Sequence, residues 1–279
     1  MNTTFIIPIR VESPDRRRNV KACIRYLLKN TESKIIIKEV DERSLIPEFL
    51  SEEIKNPRVR YIFEHGVGPF HRTRYLNDML QLVDTPLVSN YDADVILHPE
   101  SYKLAEQTIL SNTADVIYPY PESDTGQIKL KLSPLVEEKF LRESTLESLD
   151  GCQHMFWRAQ AGFCFMIRTS DYISSGAEVE QFISYGPEDV ERIERFAKMG
   201  LNILRIDSPV FHMEHSRSPD SDNRNPHVER NWRVYETMRS MKGDAIAEYL
   251  NKLEYMTSRS WLASLKHNSD AFLTKFVGI

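Results

Sequence analysis

Four short apolar runs, Thr4–Ile9, Lys34–Val40, Val59–Phe63 and Pro86–Tyr91, punctuate the first third of the chain, and their spacing limits the folds open to it. Each has strand length and composition. Between them lie polar stretches with helical spacing, the first from Asp15 to Lys29. In Arg72–Val83 the residues Tyr75, Leu76, Met79, Leu80 and Val83 recur as one helix face does. Pro99–Leu110 predicts another helix, with Pro99 in the first turn, where its missing N–H is not needed. Strands alternating with helices at this pitch predict an α/β chain with a mainly parallel central sheet flanked by helices. Ligands of such sheets sit beyond the carboxyl ends of the strands. That rule selects Arg10, Asp41 and the pair Asp92 and Asp94, each just past an apolar run.

The second half repeats the alternation less regularly. Phe163–Arg168 and Asn202–Ile206 predict strands, Pro187–Met199 a helix, and the Ser, Pro, Asp and Asn of Ser216–Pro226 a loop. Val228–Met241 and Ala245–Leu265 predict a helical C-terminal extension. With 279 residues the chain can bury one large core with a modest appendage. A net charge of −5 argues against a nucleic-acid surface, which needs a basic excess. Cys23, Cys152 and Cys164 form no C-x-x-C pair, which predicts reduced thiols and a cytoplasmic protein. No stretch reaches the roughly 20 apolar residues of a membrane span, and no signal peptide is expected.

Three motifs carry chemistry. In Val88–Val95 the carboxylates of Asp92 and Asp94 stand two residues apart, and in extended backbone they would converge on one cation. Hard oxygen ligands suit Mg²⁺ or Mn²⁺, the natural partners of a diphosphate. In Tyr185-Gly186-Pro187-Glu188-Asp189 the acids open a helix, where the helix dipole favours them. Val190, Ile193 and Ala197 predict the buried stripe of that helix, which puts Asp189 at its border and Glu188 nearly opposite. In Phe211-His212-Met213-Glu214-His215 either imidazole could complete a metal site begun by carboxylates. A turn would put His212 and His215 on one side, whereas a strand would pair His215 with Met213, so the choice of ligand stays open.

In this order the motifs resemble the β-1,4-galactosyltransferase family. Ile7-Pro8-Ile9-Arg10 resembles its Pro-x-Arg opening, Phe70–Asn77 its F-N-R-A-K-L-L-N segment, Asp92–Asp94 its D-x-D, and Tyr185–Asp189 its W-G-x-E-D. His212–His215 is similar to the H-L-W-H of chondroitin-type synthases, followed as there by a basic residue, Arg217. The resemblance implies a GT-A fold over residues 1–217, with residues 218–279 as a loop and helical extension packed on it. It implies a metal-dependent, inverting transferase that moves a hexose or N-acetylhexosamine from a UDP-sugar to a carbohydrate acceptor, in cell-surface polysaccharide or capsule synthesis. By position Asp94 and His215 would hold the Mn²⁺ (or Mg²⁺), with Asp92 and His212 as further candidates. Arg10 and Arg72 would bind the donor, together with Pro8, Phe70, Asp92 and Tyr185, and Asp41 would meet its uracil or ribose. Asp189 would be the catalytic base and Glu188 its catalytic neighbour. Tyr185 stands where the family has tryptophan, Pro187 where it has glycine and His71 where it has asparagine, and the family's disulfides are missing.

A sugar-nucleotide pyrophosphorylase would need a glycine-rich loop after the first strand, and Val11–Arg18 contains no glycine. A non-catalytic nucleotide- or carbohydrate-binding relative would not need both aspartates, Glu188, Asp189 and His215. Tyr255–Leu265 has an apolar and a basic side. It is expected to pack back on the body, with peripheral docking at the inner face of a membrane carrying a lipid-linked acceptor as the alternative.

Overall fold

The computed structural model of the chain describes residues 1–122, 126–156 and 161–258. The first apolar run is β1 (Thr3–Ile9), buried along its whole length, and it pairs in parallel with β2 (Lys34–Asp41) and β4 (Leu87–Tyr91). β3 (Val59–His65) extends the sheet beside β2. On the other side come β9 (Cys164–Arg168), β6 (Val116–Tyr118) and β10 (Ile203–Arg205), in the order β10-β6-β9-β4-β1-β2-β3. Only β9 runs antiparallel, against both β4 and β6. The mainly parallel sheet is therefore as expected.

Helices follow strands where the periodicity placed them. α1 (Pro14–Asn30) starts at a Ser13 cap whose hydroxyl accepts from Arg16 N, and it buries Val20, Ile24 and Leu27 in the main core. α2 (Arg72–Leu80) buries Leu76, Met79 and Leu80 there too. α3 (Pro99–Leu110) sets Ala105 and Ile109 against Leu87, Ile117 and Met166 in a separate cluster. The alternate residues Val88, Val116 and Ile167 belong to the main core, so the two clusters lie on opposite faces of the sheet.

A second sheet went unpredicted. β5 (Val95–Leu97), β7 (Gln127–Lys131), β8 (Gln153–Phe156) and β11 (Val210–Met213) assemble in the order β5-β11-β7-β8. α4 (Pro134–Glu143) and the short α5 (Thr169–Ser174) were likewise unexpected. α6 (Glu188–Lys198) forms where a helix was expected but buries a different face. Glu191, Arg192, Arg195 and Phe196 are inside, while Ala197 is exposed and Val190 and Ile193 are only half-buried. Paired charge explains the difference. Arg195 bonds Glu191 at 2.8 Å and Arg192 bonds Glu178 at 2.7 Å, and a neutralised ion pair can enter a core that a lone charge cannot.

The C-terminal segment folds as α7 (Val228–Arg239), α8 (Gly243–Asn251) and α9 (Glu254–Ser258), so the single helix expected from Ala245 is broken after Asn251. Tyr235, Met238, Ile246 and Leu250 close over Val179 and Phe182. Gly176, at φ +91°, lies so close to Leu250 that a Cβ there would come within 2.6 Å of its Cδ1. Tyr255 is buried and donates to Gly176 O at 3.0 Å. The membrane-docking expectation rests mainly on residues beyond Ser258, outside the described residues. No described helix is long and apolar enough to cross a membrane.

Candidate active site

A cleft of about 420 Å³ opens at the carboxyl ends of β1 and β4. All the expected site residues line it except Arg10 and Asp41. Those two brace its margin. Asp41 accepts from Val11 N at 3.1 Å and so ties the end of β1 to the end of β2. The Arg10 guanidinium donates to Val40 O at 3.0 Å, Gly68 O at 2.9 Å and Asp220 Oδ2 at 3.2 Å, and lies 5.4 Å from the Phe70 ring centre.

Asp92 and Asp94 part company. Residues 92–94 form a turn closed by Val95 N on Asp92 O, so the extended-chain premise fails and the two side chains diverge. Asp92 accepts from Arg72 Nη2 at 2.7 Å, and Arg72 also donates to Asn90 Oδ1 at 3.1 Å. Burial raises the Asp92 carboxyl above its usual range, against the pull of Arg72, and the charges of Asp94 and Asp189 add to the rise. Asp94 instead meets the histidines. The antiparallel pairing of β5 with β11 sets His212 opposite Val95, one residue past Asp94. β11 ends at Met213, and the chain turns to bring His215 to the same spot. Donor atoms of Asp94, His212 and His215 lie within 4.8 Å of one another.

That cluster fits a cation. His215 Nδ1 lies 2.7 Å from Ser216 O, and a carbonyl only accepts, so Nδ1 carries the proton. His215 Nε2 in turn lies 3.1 Å from Asp94 Oδ2. Asp94 Oδ1 and His212 Nδ1 are buried without hydrogen-bond partners. Burial lowers His212 to about 4, against the opposing pull of Asp94, so its imidazole is neutral at pH 7 and able to ligate. Burial pushes Asp94 up, but His212 and His215 outweigh it and hold the carboxyl below its usual range. One carboxylate and two imidazoles suit Mn²⁺ and similar divalent ions.

On the facing wall, Glu188 and Asp189 open α6. Asp189 Oδ1 accepts from Arg192 Nη2 at 2.7 Å and lies 3.6 Å from Arg72 Nη1, while its Oδ2 bonds nothing among the described residues. Glu188, placed opposite the core by its sequence pattern, is buried instead, with Oε2 unpartnered. Burial, then the charge of Asp189, raises its carboxyl to about 8, so it is mostly protonated at neutral pH. The loop ahead is clamped by the C-terminal extension. Asn231 donates to Ile183 O at 2.8 Å and Tyr185 O at 3.0 Å, and Asn225 donates to Tyr185 O at 2.6 Å. A Cβ on Gly186 would stand 2.8 Å from Asn231 Nδ2, so only glycine passes beneath that clamp. Tyr185 keeps its ring at the mouth of the cleft, 37% exposed.

By sequence the chain matches no known family profile and no curated protein. Its fold is similar to a solved structure, GalNAc-T7 with UDP, GalNAc and Mn²⁺, with a TM-score of 0.60 at 14% identity. The likeness covers 99% of this chain and 57% of that one, so the chain spans little more than half the length of that structure. The chain has the GT-A fold. At this identity the likeness carries no residue roles.

Several lining residues escaped the sequence reading. Arg16 reads as one member of an arginine run on α1, and Ser184, Asp220 and Ser221 read as loop. Phe163 and Ser184 hold left-handed backbone, at φ 68° and 61°, a strain that concentrates at functional sites. No hydropathy pattern signals it.

Proposed function

We propose that the chain is a divalent-metal-dependent glycosyltransferase that moves a hexose or N-acetylhexosamine from a UDP-sugar to a carbohydrate acceptor, in cell-surface polysaccharide or capsule synthesis. The observation that carries the reading is the Asp94–His212–His215 cluster, whose donor atoms lie within 4.8 Å of one another, in the same cleft as the two acids of α6. The GT-A fold and the UDP and Mn²⁺ named for the similar structure support it. Residues 1–217 form the proposed catalytic body, with the extension that follows clamping one wall of its site.

Asp94, His212 and His215 would hold a divalent ion, which when bound would supply positive charge to a diphosphate leaving group. The chain's own residues do the rest. Asp189, anchored through Oδ1 by Arg192 and Arg72, offers Oδ2 to the proton of the acceptor hydroxyl. The hydroxyl oxygen then attacks the anomeric carbon as the bond to UDP breaks, which inverts that carbon. Glu188, carrying its proton, donates a hydrogen bond to a substrate hydroxyl instead of competing for one. Arg72 holds Asp92 and Asp189 in place, so that the donor sugar lies between the carboxylates and the metal residues. Tyr185 stacks on a sugar face at the mouth.

Calorimetry of UDP binding with and without Mn²⁺ tests the proposal. UDP should bind only with the metal, and Asp94→Asn or His215→Ala should abolish that binding without changing the thermal midpoint by more than a few degrees. Undiminished Mn²⁺-dependent affinity in both variants would refute the metal assignment.

A further inference from the structure

Three arginines line the cleft, and they are not equivalent. Arg72 is paired in place, with Asp92 at 2.7 Å and Asp189 at 3.6 Å, although its Nη1, like the Arg16 Nε, is buried without a hydrogen bond. Arg217 is exposed and donates to Ser221 O at 2.8 Å. Arg16 differs from both. Its side chain is only 17% exposed, its Nε is buried without a hydrogen bond, and its single ion pair is Glu12 at 3.5 Å. Glu12 is itself shared, because its Oε1 accepts from Ser218 Oγ at 3.1 Å. The guanidinium of Arg16 thus donates no hydrogen bond within the described residues. A largely buried guanidinium with one N–H unmet and only a long ion pair is favoured further by an anion that completes its hydrogen bonds.

Its neighbours fall elsewhere because a helix turns about 100° per residue. Arg17 lies 4.6 Å from the Phe49 ring, and Arg18 donates to Glu214 O at 2.8 Å. Only Arg16 of the three enters the cleft, whose lining it shares with Asp94, His212 and His215. A divalent ion there would be only half neutralised by one aspartate and two neutral imidazoles. Glu12 offsets part of the Arg16 charge, but with Arg217 alongside, that end would still carry excess positive charge once a cation is bound. Asp92 and Asp189 lie toward Arg72, with the protonated Glu188 beside them, so an anion is met better at the Arg16 end than at the α6 end.

We propose that Arg16 receives the diphosphate of the nucleotide-sugar donor, while Arg72 holds the carboxylates Asp92 and Asp189. The inference rests on the glycosyltransferase reading and gives its donor a direction, with phosphates toward α1 and sugar toward α6. The doubly negative diphosphate bridge matches the excess charge at the Arg16 end. A guanidinium fork bonds two phosphate oxygens at once, which a point charge does not.

Calorimetry with Mn²⁺ present, using UDP, UMP and inorganic pyrophosphate as probes, tests the assignment. Arg16→Gln should weaken UDP and pyrophosphate about 10- to 100-fold, the worth of one or two charge-assisted hydrogen bonds, and UMP far less. Arg16→Lys should recover part of the loss, and Mn²⁺ binding alone and the thermal midpoint should not move in Arg16→Gln. Equal UDP affinity in Arg16→Gln and wild type, or equal losses for UDP and UMP, would overturn the proposal and leave the glycosyltransferase reading standing. Wild type that binds pyrophosphate through Arg16 but not UDP would sink the UDP-sugar reading and keep the anion site. Wild type that binds neither would overturn both.

Discussion

Arg192 is the residue whose loss should do the most damage per atom removed. Its side chain and that of Glu178 are each 1% exposed, joined by Nε to Oε1 at 2.7 Å and Nη2 to Oε2 at 3.2 Å. The same guanidinium holds Asp189 Oδ1 at 2.7 Å. Arg192→Met fills much of the space but leaves the Glu178 carboxylate buried without its cation. Breaking a buried pair from one side costs roughly 3–5 kcal/mol. At about 2–4 °C per kcal/mol for a chain of this size, the midpoint should fall by roughly 6–20 °C. Glu178 also takes hydrogen bonds from Tyr172 and from Asn90 at 3.2 Å, which should keep the loss toward the lower figure. Thermal and urea unfolding measure it, and the double variant Arg192→Met with Glu178→Gln checks the cause. Glutamine keeps the shape and bonds to Asn90 but buries no charge, so the double variant should be more stable than Arg192→Met alone. A loss under about 1 kcal/mol for Arg192→Met, or strict additivity in the double variant, would refute the claim that charge pairing holds α6 in place.

Glu188→Gln should stabilise the protein in alkaline solution. The folded state raises that carboxyl from the usual 4.5 to about 8, so the proton is held more tightly folded than unfolded. Its stabilising share is complete below about 4.5 and lost as pH rises through 8, a loss that glutamine does not suffer. Melting curves should therefore favour the variant at pH 9 and converge with wild type near pH 4; no advantage at pH 9 counts against a protonated Glu188. Asp189→Asn should keep Mn²⁺-dependent UDP binding and lose turnover by roughly 10²–10⁴-fold, with the wild-type product β-linked from an α-linked donor. Proton coupling constants of the product and single-turnover rates check both, and an α-linked product would exclude the single displacement. Gly186→Ala should collide with Asn231, moving Glu188 and Asp189 and lowering kcat more than it raises the Kd for UDP measured by calorimetry. Near-normal kcat would mean that the loop tolerates the shift.

The parallel half of the fold was legible because its signals are local. β1, β2, β3 and β4 are apolar runs of five to eight residues, and α1 to α3 repeat their apolar positions as helices do. β9 and β10 were also expected, from Phe163–Arg168 and Asn202–Ile206, whereas β5 and β6 have three residues each, too few for any period to emerge, and β7 and β11 owe their existence to long-range pairing. The second sheet was illegible for that reason. It matters to the site, because the β5–β11 ladder is what carries His212 to Asp94, more than a hundred residues away in the chain.

The residues that line the cleft were largely visible as motifs, but their orientations were not, and charge is the common cause. Hydropathy assigns a carboxylate or guanidinium to water, so it turned α6 by its few apolar residues and placed Glu188 outside. In the structure, Arg192 with Glu178 and Arg195 with Glu191 cancel their charges and go in, and the helix rotates to follow them. The rotation sets Asp189 between two guanidinium groups and buries Glu188 beside the cleft. Arg16 is the converse case. Within Arg16–Arg18 it looks like a solvated surface charge, yet its Nε is buried in the cleft without a hydrogen bond and its ion pair with Glu12 is long. A buried charge that finds its partner is part of the architecture, as Arg192 and Arg195 are. One held so loosely at a cleft is where a ligand of opposite charge would be met.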